Sequence, residues 1–230
     1  MSLRKIIAFT MTEVLLVLAI IGVTAALTIP KLNADVEERK IVSALRKSYS
    51  ELEPIYQTIV ETYGKPSEWG VTDSSTLTQR FAEYFADTAA ILKDCGTGSG
   101  CFSGSINTSS NYRKFIMKDG SAVAIRLYGM SGFNENMSQS IDENYRCKGS
   151  MGQITVDVNG PFKGANDYDD DIFVFNMCYV DGFKPETTGV ISGYSANYGD
   201  SKFTEWVIKV GNRDYMKCNN LNWTSKRTCD

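Results

Sequence analysis

Ile6-Ile-Ala-Phe9-Thr-Met-Thr-Glu13-Val-Leu-Leu-Val-Leu-Ala-Ile-Ile-Gly22-Val-Thr-Ala-Ala-Leu-Thr-Ile29-Pro30 is one long apolar run with a single carboxylate in it, and Arg4 and Lys5 stand just ahead of it. A run of this length and composition is expected to form a membrane-grade helix. An acidic side chain within such a helix costs roughly 2.5–3.5 kcal/mol on insertion scales. A positive charge at the same depth would offset that cost, and a neighbouring copy of the chain could bring one at its own amino terminus. The basic flank keeps the N-terminal end in the cytoplasm by the positive-inside rule, so the bulk of the chain is expected outside the inner membrane.

From Lys31 the sequence becomes charged and amphipathic. Leu45, Tyr49, Leu52, Tyr56, Ile59 and Tyr63 recur at alternating spacings of four and three, which is one face of a helix. That stripe reads as a packing seam onto the domain that follows. A helix from Phe9 to about Tyr63 would be roughly 80 Å long, with Pro30 and Pro54 each removing a backbone hydrogen bond and inviting a kink. Pro30 lies where the apolar run meets polar sequence, and Gly22 weakens the helix ahead of it.

Gly64-Lys-Pro-Ser ends the long helix. Leu77, Phe81, Tyr84, Phe85, Ala89 and Leu92 then predict a second helix, and the Gly/Ser/Asn-rich stretch 95–111 predicts a loop. Strands are expected beyond it. Residues 114–118 and 121–128 read as a hairpin about an Asp119-Gly120 turn, 153–158 and 172–177 as two more strands, and 205–210 as a last one. A long helix followed by an antiparallel sheet is an α+β fold.

The chain has 230 residues, 43% of them apolar, which is ample for one ordinary domain beyond a membrane helix. It contains no histidine, which excludes serine–histidine and cysteine–histidine nucleophile systems. No spacing singles out a carboxylate pair, so no enzyme is expected. Loss of residues 1–8 would remove two of the 24 basic side chains, Arg4 and Lys5, and none of the 27 acidic ones. No nucleic-acid-binding surface is evident from this mildly acidic balance.

Cys95, Cys101, Cys147, Cys178, Cys218 and Cys229 all lie beyond the apolar segment. An even set confined to the exported part predicts disulfides in an oxidising compartment. Loop length favours Cys95 with Cys101 and Cys218 with Cys229, leaving Cys147 with Cys178. Asp157-Val-Asn159-Gly160 and the acidic run to Asp171 gather oxygen ligands around a turn. Asp157, Asn159, Asp169 and Asp171 are therefore candidate calcium ligands. The same residue types are also the ordinary turn formers. The aromatic tail, Tyr194, Tyr198, Phe203, Trp206, Tyr215 and Trp223, reads either as a ligand surface or as sheet core.

Ala8-Phe9-Thr-Met-Thr-Glu13 followed by an apolar helix with Gly22 and Pro30 resembles the leader and N-terminal helix of type IV pilins and type II secretion pseudopilins. The resemblance covers about the first 55 residues. It implies cleavage by a prepilin peptidase between Ala8 and Phe9, where the family usually has Gly in place of Ala8. Phe9 would then be methylated as the first mature residue, with Glu13 fifth and Pro30 at mature position 22. It further implies a leader over 1–8, an assembly helix over 9–30, its amphipathic continuation over 31–63 and a sheet domain over 64–230. Expected partners are copies of itself and other pilins, the peptidase, an inner-membrane platform protein and an assembly ATPase. The filament would be extracellular or periplasmic. Asp157-x-Asn159-Gly160 with Asp171-x-Phe173-x-Phe175 also matches a pattern common in pilin-like proteins, and some pseudopilins hold calcium in a loop of the sheet domain. Within the family, a pilus, a secretion pseudopilus and a competence filament share this helix, and a minor subunit could act as an adhesin or in DNA uptake. The same N-terminus has a rival reading as an ordinary signal peptide cut after Val23-Thr-Ala-Ala26, which would release a secreted soluble binding protein or enzyme; Glu13 argues against it, because such a segment gains nothing from a carboxylate.

Overall fold

In a computed structural model, residues 10–129, 150–178, 182–185 and 203–229 are described. Helix α1 covers Met11–Tyr63 and is followed by α2 (Ser74–Thr88), β1 (Ile91–Gly96), α3 (Gly104–Thr108), β2 (Arg113–Met117) and β3 (Ala122–Leu127). Next come β4 (Ser150–Asp157), β5 (Ile172–Cys178), β6 (Gly182–Pro185) and α4 (Thr204–Val210). The helix is continuous through both Pro30 and Pro54. The fold is α+β, with an apolar N-terminal helix and an antiparallel sheet. The chain divides into two compact units, Met1–Lys40 and Ile41–Asp230.

The first unit is helix alone in its described part. Its large apolar side chains are exposed, Leu16 at 61% and Leu27 at 74%. Thr24 and Thr28 donate their hydroxyls to the carbonyls of Ile20 and Thr24, at 3.0 and 2.8 Å. Such back-bonding hides the polar group of a threonine within the helix itself.

In the second unit, six described strands pair in sequence order, β1-β2-β3-β4-β5-β6, every pair antiparallel. Alternation sends Phe115 and Met117, Val123, Ile125 and Leu127, Ile154 and Val156, and Phe173, Phe175 and Met177 to one face. Against them pack Ile41, Val42, Leu45, Leu52, Tyr56 and Ile59 of α1 with Leu77, Phe81, Ala82 and Phe85 of α2, in one continuous core. Phe102, Ile106, Tyr112, Ala122, Ala124 and Ile172 form a smaller cluster. The predicted helical stripe is thus the packing seam. Its last member, Tyr63, is 39% exposed and stacks on Tyr84 with ring centroids 3.7 Å apart.

Three expectations are corrected. Residues 205–210 belong to a helix, not a strand. Glu205 and Lys209 pair at 3.1 Å one turn apart, and Gly211, at φ +83°, ends the turn in the left-handed conformation. Leu92 lies in β1 and not in the second helix, and the stretch 95–111 holds the end of β1 and the short α3 rather than loop alone. Strand β6 had no counterpart in the sequence reading.

Leu45 is fully buried and Leu16 is not. Leu45→Ala should destabilise the second unit by about 2–5 kcal/mol, whereas Leu16→Ala should leave its stability unchanged. Denaturant unfolding of the detergent-solubilised chain, followed by the fluorescence of buried Trp206, measures both.

Candidate functional site

Glu13 lies in the first turn of α1 and has a partner within its own chain. Its Oε2 accepts the backbone N–H of Thr10 at 2.8 Å and the Thr10 hydroxyl at 2.8 Å, while the Glu13 N–H donates to Thr10 Oγ1 at 3.2 Å. This is a capping box, two orphan N–H groups at the helix start each taken by the other residue's side chain. The sequence carries its signature as Thr10-x-x-Glu13, which the sequence reading above does not include. Neither Gly22 nor Pro30 is buried. A Cβ at Gly22 would meet nothing within 4 Å, so the glycine leaves a bare strip on the helix surface. Ala8 and Phe9 lie outside the described residues, as do Arg4 and Lys5.

Among the described residues one helix is long and apolar enough, by length and composition, to cross a membrane; a signal sequence near an N-terminus passes the same test. The bonds Cys95–Cys101 and Cys218–Cys229 are formed, each with Cα atoms 6.0 Å apart. Cys178 is disulfide-bonded as well, and Cys147 lies outside the described residues. The aromatic tail is largely core. Trp206 is fully buried and donates its Nε1–H to Asn212 Oδ1 at 2.9 Å, and Phe203 stacks on Tyr215 at 4.2 Å. Trp223 packs edge-on against Trp206, and Tyr194 and Tyr198 fall outside the described residues.

The acidic turn between β4 and β5 is tightly hydrogen-bonded. Asp171 accepts the N–H groups of Asn166 and Asp167 at 3.0 and 2.9 Å and the Asn159 amide at 3.2 Å. Asp157 Oδ1 accepts the Gly160 N–H at 2.9 Å. The Asn166 amide, with its nitrogen turned toward the acceptors, spans Ser103 Oγ, Asp157 Oδ2 and Pro161 O at 3.1 to 3.2 Å. Asp169 accepts the Phe203 N–H at 3.0 Å and so ties the turn to the start of α4. Asp157, Asp169 and Asp171 use their oxygens as turn formers do, whereas Asn159 donates through its amide nitrogen and its buried Oδ1 has no partner among the described residues. Among the described residues no group of three or more His, Cys, Asp or Glu side chains is placed to hold a metal ion. Burial, and then the charge of Asp171, push the Asp157 carboxyl up to about 7, against the opposing hydrogen bonds from Gly160 and Asn159.

Lys114 is a feature the sequence did not announce. Its side chain is fully buried, and Nζ donates to the carbonyls of Thr97, Ile106, Asn107 and Ser109 at 2.9, 3.2, 2.9 and 2.8 Å. Burial lowers its pKa. The ammonium closes the last turn of α3 and fixes the disulfide-tied segment 95–101 beside it, a task commonly left to water or a bound cation.

Compared with family models, with curated proteins and with solved structures, this chain finds no match.

Two outcomes test this account. Asp157 has its folded pKa near 7 and an ordinary value near 4 when unfolded, so the folded state holds the extra proton between those values. Stability is therefore fully present below about pH 4 and declines as pH rises through 7, by on the order of 4 kcal/mol at most. Asp157→Asn should flatten that slope in denaturant titrations across the pH range. Lys114→Met should cost roughly 2–3 kcal/mol, through carbonyls left without donors, and should make segment 97–109 the first cleaved in limited proteolysis.

Proposed function

We propose that this chain is a pilin-like filament subunit, made as a precursor, cut between Ala8 and Phe9, and held in the inner membrane until it is drawn into a helical polymer. The observation that carries the reading is Glu13, a carboxylate at the head of an apolar helix whose large side chains are exposed. An exposed face of this kind is stable in lipid or against other copies of the same helix. In lipid the charge needs a cationic partner, and the new amine of Phe9 in an adjacent subunit lies at the matching end of its helix.

Assembly on this reading is mechanical. Apolar helices bundle in the filament core, and the disulfide-tied sheet domains form the outer surface. Arg4 and Lys5 set orientation before cleavage. A prepilin peptidase, an inner-membrane platform protein and a cytoplasmic ATPase serve the process, and other pilins join the filament. A disulfide-bearing domain fits the oxidising side of the membrane.

Glu13 has two separable roles, and a conservative variant divides them. Glutamine at this position still completes a capping box but carries no charge. Glu13→Gln should insert in the membrane with α1 intact and fail to assemble, as should Glu13→Ala. Filament counts by electron microscopy read the result, and normal filaments from Glu13→Gln would refute charge pairing. Mass spectrometry of the mature terminus should find methylated Phe9. A terminus at Leu27 would instead establish an ordinary signal peptide.

A further inference from the structure

A cavity of about 380 Å³ opens between the first turns of α2 and the segment around Thr97 and Asn111, with Arg113 on its wall. Its size falls among small-molecule sites, about 300–1,000 Å³. Its lining differs from theirs, being hydroxyls, amides and one guanidinium, with no carboxylate. Ser74 and Thr78 spend their hydroxyls on the Leu127 carbonyl, which clamps α2 to β3 and sets one wall. The opposite wall is held by the Cys95–Cys101 bond and by the Lys114 ammonium, which grips the Thr97 and Ser109 carbonyls. The cavity is therefore bounded by braced elements on both sides.

What remains inside is unspent. The side chains of Ser75, Thr97, Ser110, Asn111 and Arg113 make no hydrogen bond to another described residue. Arg113 Nε is buried and lacks a partner. The guanidinium lies beside Gly96, 3.5 Å from where a Cβ would stand, an ordinary van der Waals contact. A partly buried guanidinium with no anion beside it is costly unless something supplies one. Its planar fork matches an oxyanion in a two-bond arrangement. The surrounding hydroxyls and amide offer both donors and acceptors, which suits a ligand that is itself rich in hydroxyls. An apolar ligand would leave all of them unpaired.

We propose that this cavity binds a carboxylate-bearing sugar, with Arg113 paired to the carboxylate and Ser75, Thr97, Ser110 and Asn111 hydrogen-bonded to the ring hydroxyls. The site lies wholly within the second unit, so the proposal does not rest on filament assembly.

Calorimetric titration of the full-length chain in detergent with glucuronate, glucose and inorganic phosphate tests it. Glucuronate should saturate one site, and glucose should bind at least about tenfold more weakly. Arg113→Gln should weaken glucuronate by roughly tenfold to a hundredfold with an unchanged melting temperature, because Arg113 holds nothing in the protein. Asn111→Ala should weaken it less and serves if Arg113→Gln does not fold. Four results overturn the proposal: glucuronate that does not saturate, glucose that binds as tightly, phosphate that binds while glucuronate does not, or a folded Arg113→Gln with undiminished affinity.

Discussion

One face of α1 from Ile41 to Ile59 has to be covered, and the sheet is the surface that covers it. Leu45, Leu52, Tyr56 and Ile59 are each at most 4% exposed, and each buried side chain of this size contributes about 1.5–3 kcal/mol. Aromatic rings set the fit. Tyr49 stacks on Phe175 at 5.6 Å and Tyr56 on Phe183 at 5.7 Å, so the helix is registered on β5 and β6 by ring planes rather than by aliphatic contact alone. At the other edge the Lys47 ammonium reaches Asp119 at 2.7 Å and fastens the helix to the β2–β3 turn. The same six-stranded surface, closed on this side by α1 and α2, is what lets Arg113 sit at the end of β2 beside the first turn of α2.

Where side-chain period and burial coincide, the sequence was readable. Leu45 to Tyr63 repeats like a helix because one face is covered, and 114–127 alternates like strands around a turn whose residues, Asp119 and Gly120, favour that geometry. Segments whose structure is decided by distant partners were not. Ile91–Gly96 is an edge strand with two register irregularities and no buried residue, so it lacks an alternating pattern to read. The segment 205–210 alternates Trp206, Ile208 and Val210 as a strand would. Its outcome is set by Gly211 and the Glu205–Lys209 pair, and by Thr204, whose hydroxyl accepts the Val174 N–H of β5 at 3.1 Å. Lys114 stands in a strand between apolar neighbours and looks like an exposed position. Only the four carbonyls assembled by α3 and the 95–101 segment give it a reason to be inside.

The candidate site divides the same way. Glu13 could be found because a charge in an apolar run is anomalous by itself. The cavity beside Arg113 could not, because its residues come from α2, the 97–111 segment and β2, and no local spacing connects them. The acidic turn was located correctly as a place, with its two uses left open. Its hydrogen bonds show carboxylates spent on backbone N–H groups, which is how a chain turns sharply between β4 and β5 without burying orphan donors.

Three ionisable groups in difficult surroundings are treated in three ways, and the comparison bears on what Glu13 does. Lys114 keeps its charge by gathering carbonyl dipoles. Asp157 gives its charge up more readily, retaining a proton to near neutrality beside Asp171. Glu13 has neither remedy in full. The Thr10 donors take up one of its oxygens and help start the helix, yet they are neutral and leave a net negative charge at the head of an apolar segment. The Thr10 bonds hold that charge at the start of the helix, where the carboxylate is exposed. If the proposed filament forms, a carboxylate held this way would meet a cation of fixed position. On the proposed filament reading, the capping box and a pairing between subunits would be successive uses of the same group, the first making the second geometrically selective.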